Sequence, residues 1–406
     1  MAQQLTRERP AAGTPTPAPA PVPALTPTAV TATAVTAPAP AFAFAGADAG
    51  GRAVRGDARL PGGGDDLVPA WFVDAVFGHL PRSDQRRCAG AYLRALLTSP
   101  GRKTVRAMAD TTTDLQALQQ FVNQSPWDWR PARRALARLA TEWITPRATV
   151  LELALVPKYG ERIVGVHRRP TSTGGSVNCQ LALGMFLTER DRSLPVDWRL
   201  YLNRAWGEDE EHRRRARVPA GVGRRPLEQL ALDLLDDAPA PWRSRTTPVV
   251  LDLRGTGSPL RAAAGLAARG TGFLLSLGAE EQRRAQVLKP PVRGPLVTLT
   301  SAARLDPPGG GAGRFRLLAE WSPARDRPRK VWLTNLTGAG SGDFLALLRL
   351  RAVSGEALKA VDEHYGMGDF TGRSYPGWHH HQTLVSAAYA LSRLDPALRP
   401  SPAPAC

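Results

Sequence analysis

Apolar residues recur at helical spacing from Asp65 onward. In the segment 65–97 they appear every three or four positions, which is typical of amphipathic helices. Pro81 divides this segment into two helices, and Ser83 is the expected N-cap of the second. Further segments with the same spacing are 104–109, 115–129 and 132–144. Residues 65–147 are therefore predicted to form a helical N-terminal domain with arginine and glutamine on its exposed faces.

The pattern changes to that of strands at Thr149. Three apolar segments joined by short turns, at 149–158, 162–169 and 177–188, predict an antiparallel meander. The segments that follow are helix 227–238, strand 248–255, helix 257–270, strand 271–278, a β-rich stretch, and helices 343–366 and 379–394. Residues 148–396 are therefore predicted to form one mixed α/β domain with a β-rich insertion near 279–335.

Two terminal stretches differ from the rest of the chain. Residues 1–64 are dominated by alanine, proline, threonine and glycine. Such a stretch buries too little apolar surface to offset the entropy lost on ordering, so we expect a disordered tail there. A proline-rich docking segment is the functional alternative. Residues 397–406 are expected to form a second disordered tail.

The chain carries a strong excess of positive charge. Its formal net charge is +17 over 406 residues, and almost all of its basic residues are arginine. Arginine pairs well with phosphate, so the charge favours a polyanionic partner such as nucleic acid. The alternative is codon usage in a GC-rich genome, which enriches arginine together with alanine, proline and glycine.

The number and spacing of the cysteines argue against two classes of protein. The three cysteines, Cys88, Cys179 and Cys406, lie far apart in the chain. An odd number without a close pair argues against a disulfide framework and against a cysteine zinc site, and it favours a reducing cytoplasm. No apolar run is long and clean enough to span a bilayer.

Five segments resemble, in order and approximate spacing, the motifs of DDE-superfamily insertion-sequence transposases. They are RRCAGAYLRALLTSPGRKTVRAMA (86–109), LQQFVNQSPWDW (118–129), GVHRR with NCQLAL (165–183), LPVDWRLYLNRAWGED (194–209) and GRSYPGWHHHQTLVSAAYA (372–390). Five ordered matches are hard to produce by chance, so the chain is identified as a member of that family. The resemblance implies an α/β fold: a ribonuclease H-like DDE core with a β-rich insertion, preceded by an all-α, DNA-binding-like N-terminal domain at 65–147.

The resemblance also implies a chemistry. Transposases of this superfamily hydrolyse a phosphodiester and join the freed 3′ hydroxyl to target DNA, using acidic side chains that hold two divalent cations. Mg²⁺ is the expected cofactor of an active member, because it prefers carboxylate oxygens and water. Double-stranded DNA is the implied partner.

Of the family's three acids, the second matches this chain and the first does not. Asp252 ends an apolar strand segment, as the family's second acid does. The family's first motif reads approximately DDTGFPK, whereas residues 152–158 read ELALVPK. Leu153 then occupies the position expected to face the metal. Glu152 should point to the opposite side of the strand, unless the register shifts.

The third acid is also displaced. The family's pattern of arginine, glutamate and lysine aligns with Arg351, Gly355 and Asp362. Glu356 is adjacent to Gly355, but it lies about 100° further around the helix. The candidate catalytic and metal-binding residues are therefore Asp252, Glu152 and Glu356.

Several basic residues are candidates for DNA contact: Arg168, Arg169, Arg351, Arg373 and His379. The consecutive histidines 379–381 cannot share one tetrahedral ion, since neighbours on a helix point in different directions. The resemblance places them beside the active site or the DNA. The segment 208–219 is expected to be a solvated loop or helix, or to touch phosphate through its arginine run.

Three functional hypotheses follow. The first is a transposase-derived DNA-binding protein that is catalytically impaired, a pseudoenzyme. The second is an active Mg²⁺-dependent transposase that uses the displaced acids. The third is a domesticated regulatory or interaction protein that does not cleave DNA. We expect a cytoplasmic, nucleoid-associated protein without membrane contact, and we leave a homodimer open.

Overall fold

The computed structural model describes residues 24–27, 67–109, 115–170, 175–238, 247–253, 256–284, 301–306, 313–320 and 328–393. Its helices are α1 Ala70–Phe77, α2 Ser83–Thr98, α3 Val105–Ala109, α4 Leu115–Asn123, α5 Trp129–Trp143, α6 Arg204–Glu208, α7 Glu210–Ala216, α8 Leu227–Asp236, α9 Pro259–Ala268, α10 Ala279–Arg284, α11 Ser341–Tyr365 and α12 Tyr375–Ser392. Its strands are β1 Ala24–Pro27, β2 Ala148–Pro157, β3 His167–Pro170, β4 Ser176–Thr188, β5 Ser193–Leu200, β6 Val249–Leu251, β7 Phe273–Ser276, β8 Ser301–Asp306, β9 Gly313–Glu320 and β10 Lys330–Thr334.

The first helices bury the apolar positions that the spacing predicts. In α1 and α2 these are Val76, Phe77, Tyr92, Leu93 and Leu96, whereas Phe72 is buried in place of the expected Trp71, which is only partly buried. α5 begins after Asp128, whose carboxylate accepts a hydrogen bond from the backbone N–H of Arg130. The expected N-cap role of Ser83 is wrong. Ser83 is already the first residue of α2, and the N-cap is Arg82, which makes no side-chain capping bond.

The described strands form one sheet in the order β1-β8-β9-β10-β7-β6-β2-β4, and β3 and β5 both pair with the far edge of β4. The predicted order of the meander 149–158, 162–169 and 177–188 is wrong, because β2 pairs with β4 and β3 lies beyond β4. The antiparallel meander is instead β2, β4 and β5, whereas β2, β6 and β7 are parallel. The resulting order β5-β4-β2-β6-β7 is that of a ribonuclease H-like core. The mixed α/β fold expected from the family is therefore confirmed.

The β-rich insertion extends this core. β10 pairs antiparallel with β7, and β9 and β8 follow outward. β1 then pairs antiparallel with the outermost strand β8. Residues 24–27 thereby correct the expectation of disorder for that part of 1–64, because backbone pairing at a sheet edge needs no apolar pattern. The rest of that stretch, apart from these four residues, and the tail 397–406 lie outside the described residues.

Helices cover both faces of the meander. The indole N–H of Trp198 in β5 donates to the hydroxyl of Ser386 in α12, 2.8 Å away. The next residue, Arg199, donates to Asp237 at the end of α8. Since successive strand residues point to opposite faces, α12 lies on one face and α8 on the other. α12 also packs against α2, α4 and α5. The N-terminal helices α1 to α5, called here the helical unit, therefore share one apolar core with the sheet.

Among the helices described here, none combines the length and the apolar character needed to cross a membrane.

Candidate active site around Asp252

A short buried strand places the second acid in the centre of the sheet. All three residues of β6 are buried, and Asp252 follows them with 4% of its surface exposed. Its Oδ2 atom accepts a hydrogen bond from Nζ of Lys330 and another from Nη2 of Arg351, the latter at 2.6 Å. Lys330 is the first residue of β10 and Arg351 lies in α11. Three elements that are distant in sequence therefore meet at one carboxylate.

The ring of Trp332 lies close to the cationic groups of both Lys330 and Arg351. Nζ of Lys330 lies 4.9 Å from the ring centroid of Trp332, and the guanidinium carbon of Arg351 lies 5.7 Å from the same centroid. Trp332 is itself buried, and its indole N–H donates to Oε1 of Glu320 at 2.6 Å. Neither Lys330 nor Trp332 is among the candidates drawn from the sequence. Lys330 and Trp332 lie two residues apart on β10 and so share one face of the strand. This spacing is the only sequence pattern that could have indicated them as site residues.

The register between β2 and β6 brings a second acid to the same face. Leu151 is paired with Leu251 in parallel, and the next residues along the two strands are Glu152 and Asp252. Corresponding residues of parallel neighbours point to the same face, with strands about 4.8 Å apart. Glu152 is buried, with 2% of its surface exposed. The expectation that Glu152 points away from the metal position is therefore wrong.

Leu153 faces the opposite layer. It is paired with Leu183 of β4, which is paired in turn with Arg199 of β5. Arg199 reaches Asp237 at the end of α8, so this row of residues points towards α8. The assignment of Leu153 to the metal-facing position is corrected by this register. The leucine belongs to the apolar packing between the sheet and α8.

The third acid has no counterpart on the corresponding face of α11. Gly355 lies one helical turn beyond Arg351, and a Cβ atom built on it would meet no atom within 4 Å. Glu356 is exposed and lies on a neighbouring face of the helix. Asp362, at the family's lysine position, accepts a hydrogen bond from the backbone N–H of Gly368 at 3.0 Å.

The donor set does not fit a pair of Mg²⁺ ions. Two such ions need several carboxylate oxygens in one place. In the described part of the chain, no group of three aspartate, glutamate, histidine or cysteine side chains is placed to hold a metal ion. Of the three candidates, Asp252 and Glu152 lie on one face of the sheet and Glu356 does not join them.

The three histidines join α12 to the helical unit. Each takes a different partner there: His379 stacks on Trp129 at 4.4 Å, His380 stacks on Trp127 at 3.9 Å, and His381 is bonded through Nδ1 to the hydroxyl of Tyr92 at 2.9 Å. Burial lowers the pKa of His381 to about 4, and it lowers the pKa of His379 well below its ordinary value, so both of these rings are neutral near pH 7. Both ring nitrogens of His380 instead lie 2.8 Å from backbone carbonyl oxygens, those of Val122 and Trp127.

The expected DNA contact by His379 is wrong, because only 1% of this residue is exposed. Arg351 faces Asp252, and its side chain is 27% exposed. Arg168 on β3 is exposed and the adjacent Arg169 is half-buried. Arg373 is exposed between α11 and α12 and lines a separate groove. The structure therefore brings none of these four arginines together at one surface with His379.

Two buried lysines of the resembling motifs have structural partners. Nζ of Lys158 donates to the backbone carbonyls of Gly368 and Phe370, at 2.5 and 2.7 Å. The backbone N–H of Lys103 donates to Asp369 at 2.7 Å. Burial lowers the pKa of Lys158 to about 8. These contacts attach β2 and the helical unit to the turn between α11 and α12.

Comparison with known families agrees with this arrangement. The family described as DDE superfamily endonuclease matches residues 75–305, more than half of the 406 residues. The matched part runs from α1 through the meander and Asp252 into β8. A comparison with curated proteins finds no match. Given the extent of the family match and the ribonuclease H-like order of its strands, the chain belongs to the DDE superfamily of endonucleases, whose members are proteins of the transposase type.

Proposed function

We propose that this protein binds double-stranded DNA as a transposase-type protein but is impaired in strand cleavage. The observation that carries this proposal is the shared Oδ2 atom of Asp252, which Lys330 and Arg351 both contact. A fixed ammonium group and a fixed guanidinium group supply there the positive charge that a metal ion supplies in a two-metal site. A metal ion would have to displace or tolerate both cations in a largely buried place.

The position of Gly355 supports the same proposal. An acid at this position would lie one turn from Arg351 on α11, and the glycine offers no ligand. Removal of one carboxylate from a two-metal site typically reduces the rate by orders of magnitude. Mg²⁺ is the cofactor that an active member would use, and the described side chains do not form its site.

Charge and family support the DNA-binding half. The net charge of +17 is carried almost entirely by arginine, the side chain best suited to phosphate. Endonucleases of this superfamily act on DNA. Binding through phosphate contacts releases counterions, so the affinity should fall steeply as the salt concentration rises. DNA binding would place the protein on the nucleoid, and a homodimer remains a prediction that sedimentation measurements can check.

One observation favours the second candidate, an active transposase. Glu152 shares a face with Asp252, so two acids are already neighbours in the sheet. Activity would require Lys330 to leave Asp252 and a third ligand to arrive from Glu356 or from the DNA. Cleavage that is abolished in both Asp252→Ala and Glu152→Gln would support this candidate.

The test combines two measurements on one labelled duplex. Electrophoretic mobility shift at low and high salt reports binding, and denaturing gels with Mg²⁺ or Mn²⁺ report strand cleavage. We expect salt-sensitive binding without cleavage. Cleavage that disappears in Asp252→Ala and persists in the control Glu142→Gln, an exposed acid of α5 outside the site, would contradict the impairment. Absence of binding at low salt would favour the third hypothesis, a regulatory protein that does not use DNA.

A further inference from the structure

A groove of about 1070 Å³ lies away from Asp252, between the helical unit and the turn that joins α11 to α12. Its walls include α3, α4, the end of α7 and the segment around Arg373. Neither Asp252 nor Glu152 lines it. The groove is thus separate from the candidate active site.

One wall of this groove is a row of amide side chains. α4 buries Leu118, Phe121 and Val122 in the core. Its opposite face carries amides at helical spacing, which are Gln116, Gln119, Gln120 and Asn123. The row extends about 10 Å, because each helical residue rises about 1.5 Å. That length corresponds to roughly three base-pair steps of DNA.

Guanidinium groups from other elements surround this row. They belong to Arg106 of α3, Arg215 of α7, Arg217 just after α7, and Arg373. All four are exposed. Asp369 is the only carboxylate among the described lining residues, and its Oδ2 atom accepts the backbone N–H of Lys103. The groove therefore presents a positive rim around neutral amides.

Contacts at the end of α4 hold the rim in place. Nη2 of Arg217 donates to the backbone carbonyl of Asn123, and the hydroxyl of Ser374 donates to the same carbonyl at 3.4 Å. A Cβ atom on Gly372 would lie 2.6 Å from Oδ1 of Asn123, so a side chain at Gly372 would not fit there. α4, the end of α7 and the segment near Arg373 are thereby fixed relative to one another.

The chemistry of the groove fits duplex DNA better than a single strand. Glutamine and asparagine pair with two edge atoms of adenine in the major groove, while arginine contacts the flanking phosphates. Proteins that hold single strands present exposed aromatic rings for base stacking. The described aromatic residues of this lining, Tyr92, Phe370 and His381, are each at most 4% exposed. A stacking platform is therefore missing from the described lining.

We infer that α4 reads base edges in duplex DNA through Gln116, Gln119 and Gln120, with a preference for adenine, while Arg106 and Arg373 contact the flanking phosphates. This inference rests on the proposed DNA binding and adds to it the surface and the type of base that is read. It assigns sequence recognition to the helical unit, at a distance from the face that carries Asp252.

The experiment uses the full chain and a duplex library with randomised sequence. We expect the wild-type protein to enrich sites that contain adenine steps. Gln119→Ala combined with Gln120→Ala should weaken binding to the enriched site by roughly tenfold to a hundredfold for each bidentate amide–adenine pair that the variant removes, with a much smaller effect on random duplex. Gln229→Ala on α8, an amide outside the groove, is the matched control.

A second set of variants, at arginines, tests the phosphate contacts through the salt dependence of the DNA affinity. Arg106→Ala combined with Arg373→Ala should weaken binding to every duplex and reduce the slope of log affinity against log salt by about 2. Arg138→Ala, an exposed arginine of α5 outside the groove, should leave that slope unchanged.

Three outcomes would overturn the inference. The first is unchanged sequence enrichment in the glutamine variant, and the second is an unchanged salt slope in the arginine variant. The third is tighter binding of single strands than of duplex. If the wild-type protein binds no DNA at low salt, the proposed function itself fails, and the two failures are thereby distinguished.

Discussion

Single side chains decide whether the Asp252 site behaves as a metal centre or as an ion-paired part of the core. Carboxylate side chains that are positioned as metal ligands commonly reduce the stability of the metal-free protein, so their removal often stabilises an enzyme. Asp252 instead neutralises two cations whose side chains are only 24% and 27% exposed. Its removal would leave Lys330 and Arg351 without their shared counter-charge. The change in stability should therefore have the sign opposite to that expected for an acid that serves only as a metal ligand.

For Asp252→Asn we expect the free energy of unfolding to fall by roughly 2–4 kcal/mol, because breaking a buried ion pair is strongly destabilising. Urea denaturation in the presence of a chelator measures this change. The exposed control Glu356→Gln should alter stability by less than about 0.5 kcal/mol. An Asp252→Asn protein as stable as the wild type, or more stable, would show that the ion pairs contribute nothing.

The open space at Gly355 allows the site to be rebuilt. We expect Gly355→Glu combined with Lys330→Met to bind Mn²⁺ measurably more tightly than the wild type, because it adds an acid and removes a cation. Isothermal titration calorimetry measures the affinity, and the cleavage assay reports any recovered activity. Gly355→Gln combined with Lys330→Met is the matched control, since it keeps the size of the side chain without the charge. Equal Mn²⁺ affinity in the two double variants would mean that position 355 does not face the site.

At the scale of elements, α12 is the joint between the helical unit and the sheet. Its histidines contact α2, the segment before α5, and α5 itself, and its Ser386 is bonded to Trp198 of β5. Neutral His381 suits its position, because Nδ1 accepts from the hydroxyl of Tyr92 and Nε2–H donates to the carbonyl of Gly366. Protonation would place a charge in a dry interface. The joint should therefore weaken in acid.

We expect stability to fall as the pH decreases from about 6.5 to about 4. The pKa of His381 is about 4 in the folded protein, against an ordinary value of 6.5. In that window the unfolded chain binds more protons than the folded one, so stability rises with pH and is complete above about 6.5. The decrease is on the order of 3 kcal/mol for this ring.

Urea denaturation at a series of pH values measures this slope. His381→Gln is the informative variant, because its amide can make both hydrogen bonds but does not titrate. Its stability should vary less steeply with pH than that of the wild type. The same steepness in both proteins would assign the acid sensitivity to other groups.

Hydrophobic spacing predicted the long elements well and the short edge strands poorly. The amphipathic pattern at 227–238 corresponds closely to α8, and the apolar run at 149–158 corresponds to β2. β5 carries Asp197 and Arg199 among its apolar residues, and Arg133 of α5 is paired with Asp197 at 2.7 Å. Such a strand lacks a clean alternation, because its charged residues are neutralised by partners distant in sequence.

At the scale of the whole molecule, the ordered motifs were sufficient to predict the family and the core topology. They were not sufficient to orient the first acid, because the face of Glu152 depends on its register with β6, about a hundred residues later in the chain. The motifs also could not predict the two cations that contact Asp252, since Lys330 belongs to the insertion and Arg351 to α11. Motifs that resemble catalytic or DNA-contacting ones, such as the three histidines, proved to be packing residues.

The position of α12 in the chain has a consequence for synthesis. This helix lies against α2, α4, α5 and β5, yet it leaves the ribosome after all of them. Until it emerges, the aromatic faces of Trp127 and Trp129 lack their histidine partners. A nascent chain that stops before Tyr375 would expose this apolar surface to chaperones and proteases. Prematurely terminated chains should therefore be cleared rather than persist as DNA-binding fragments.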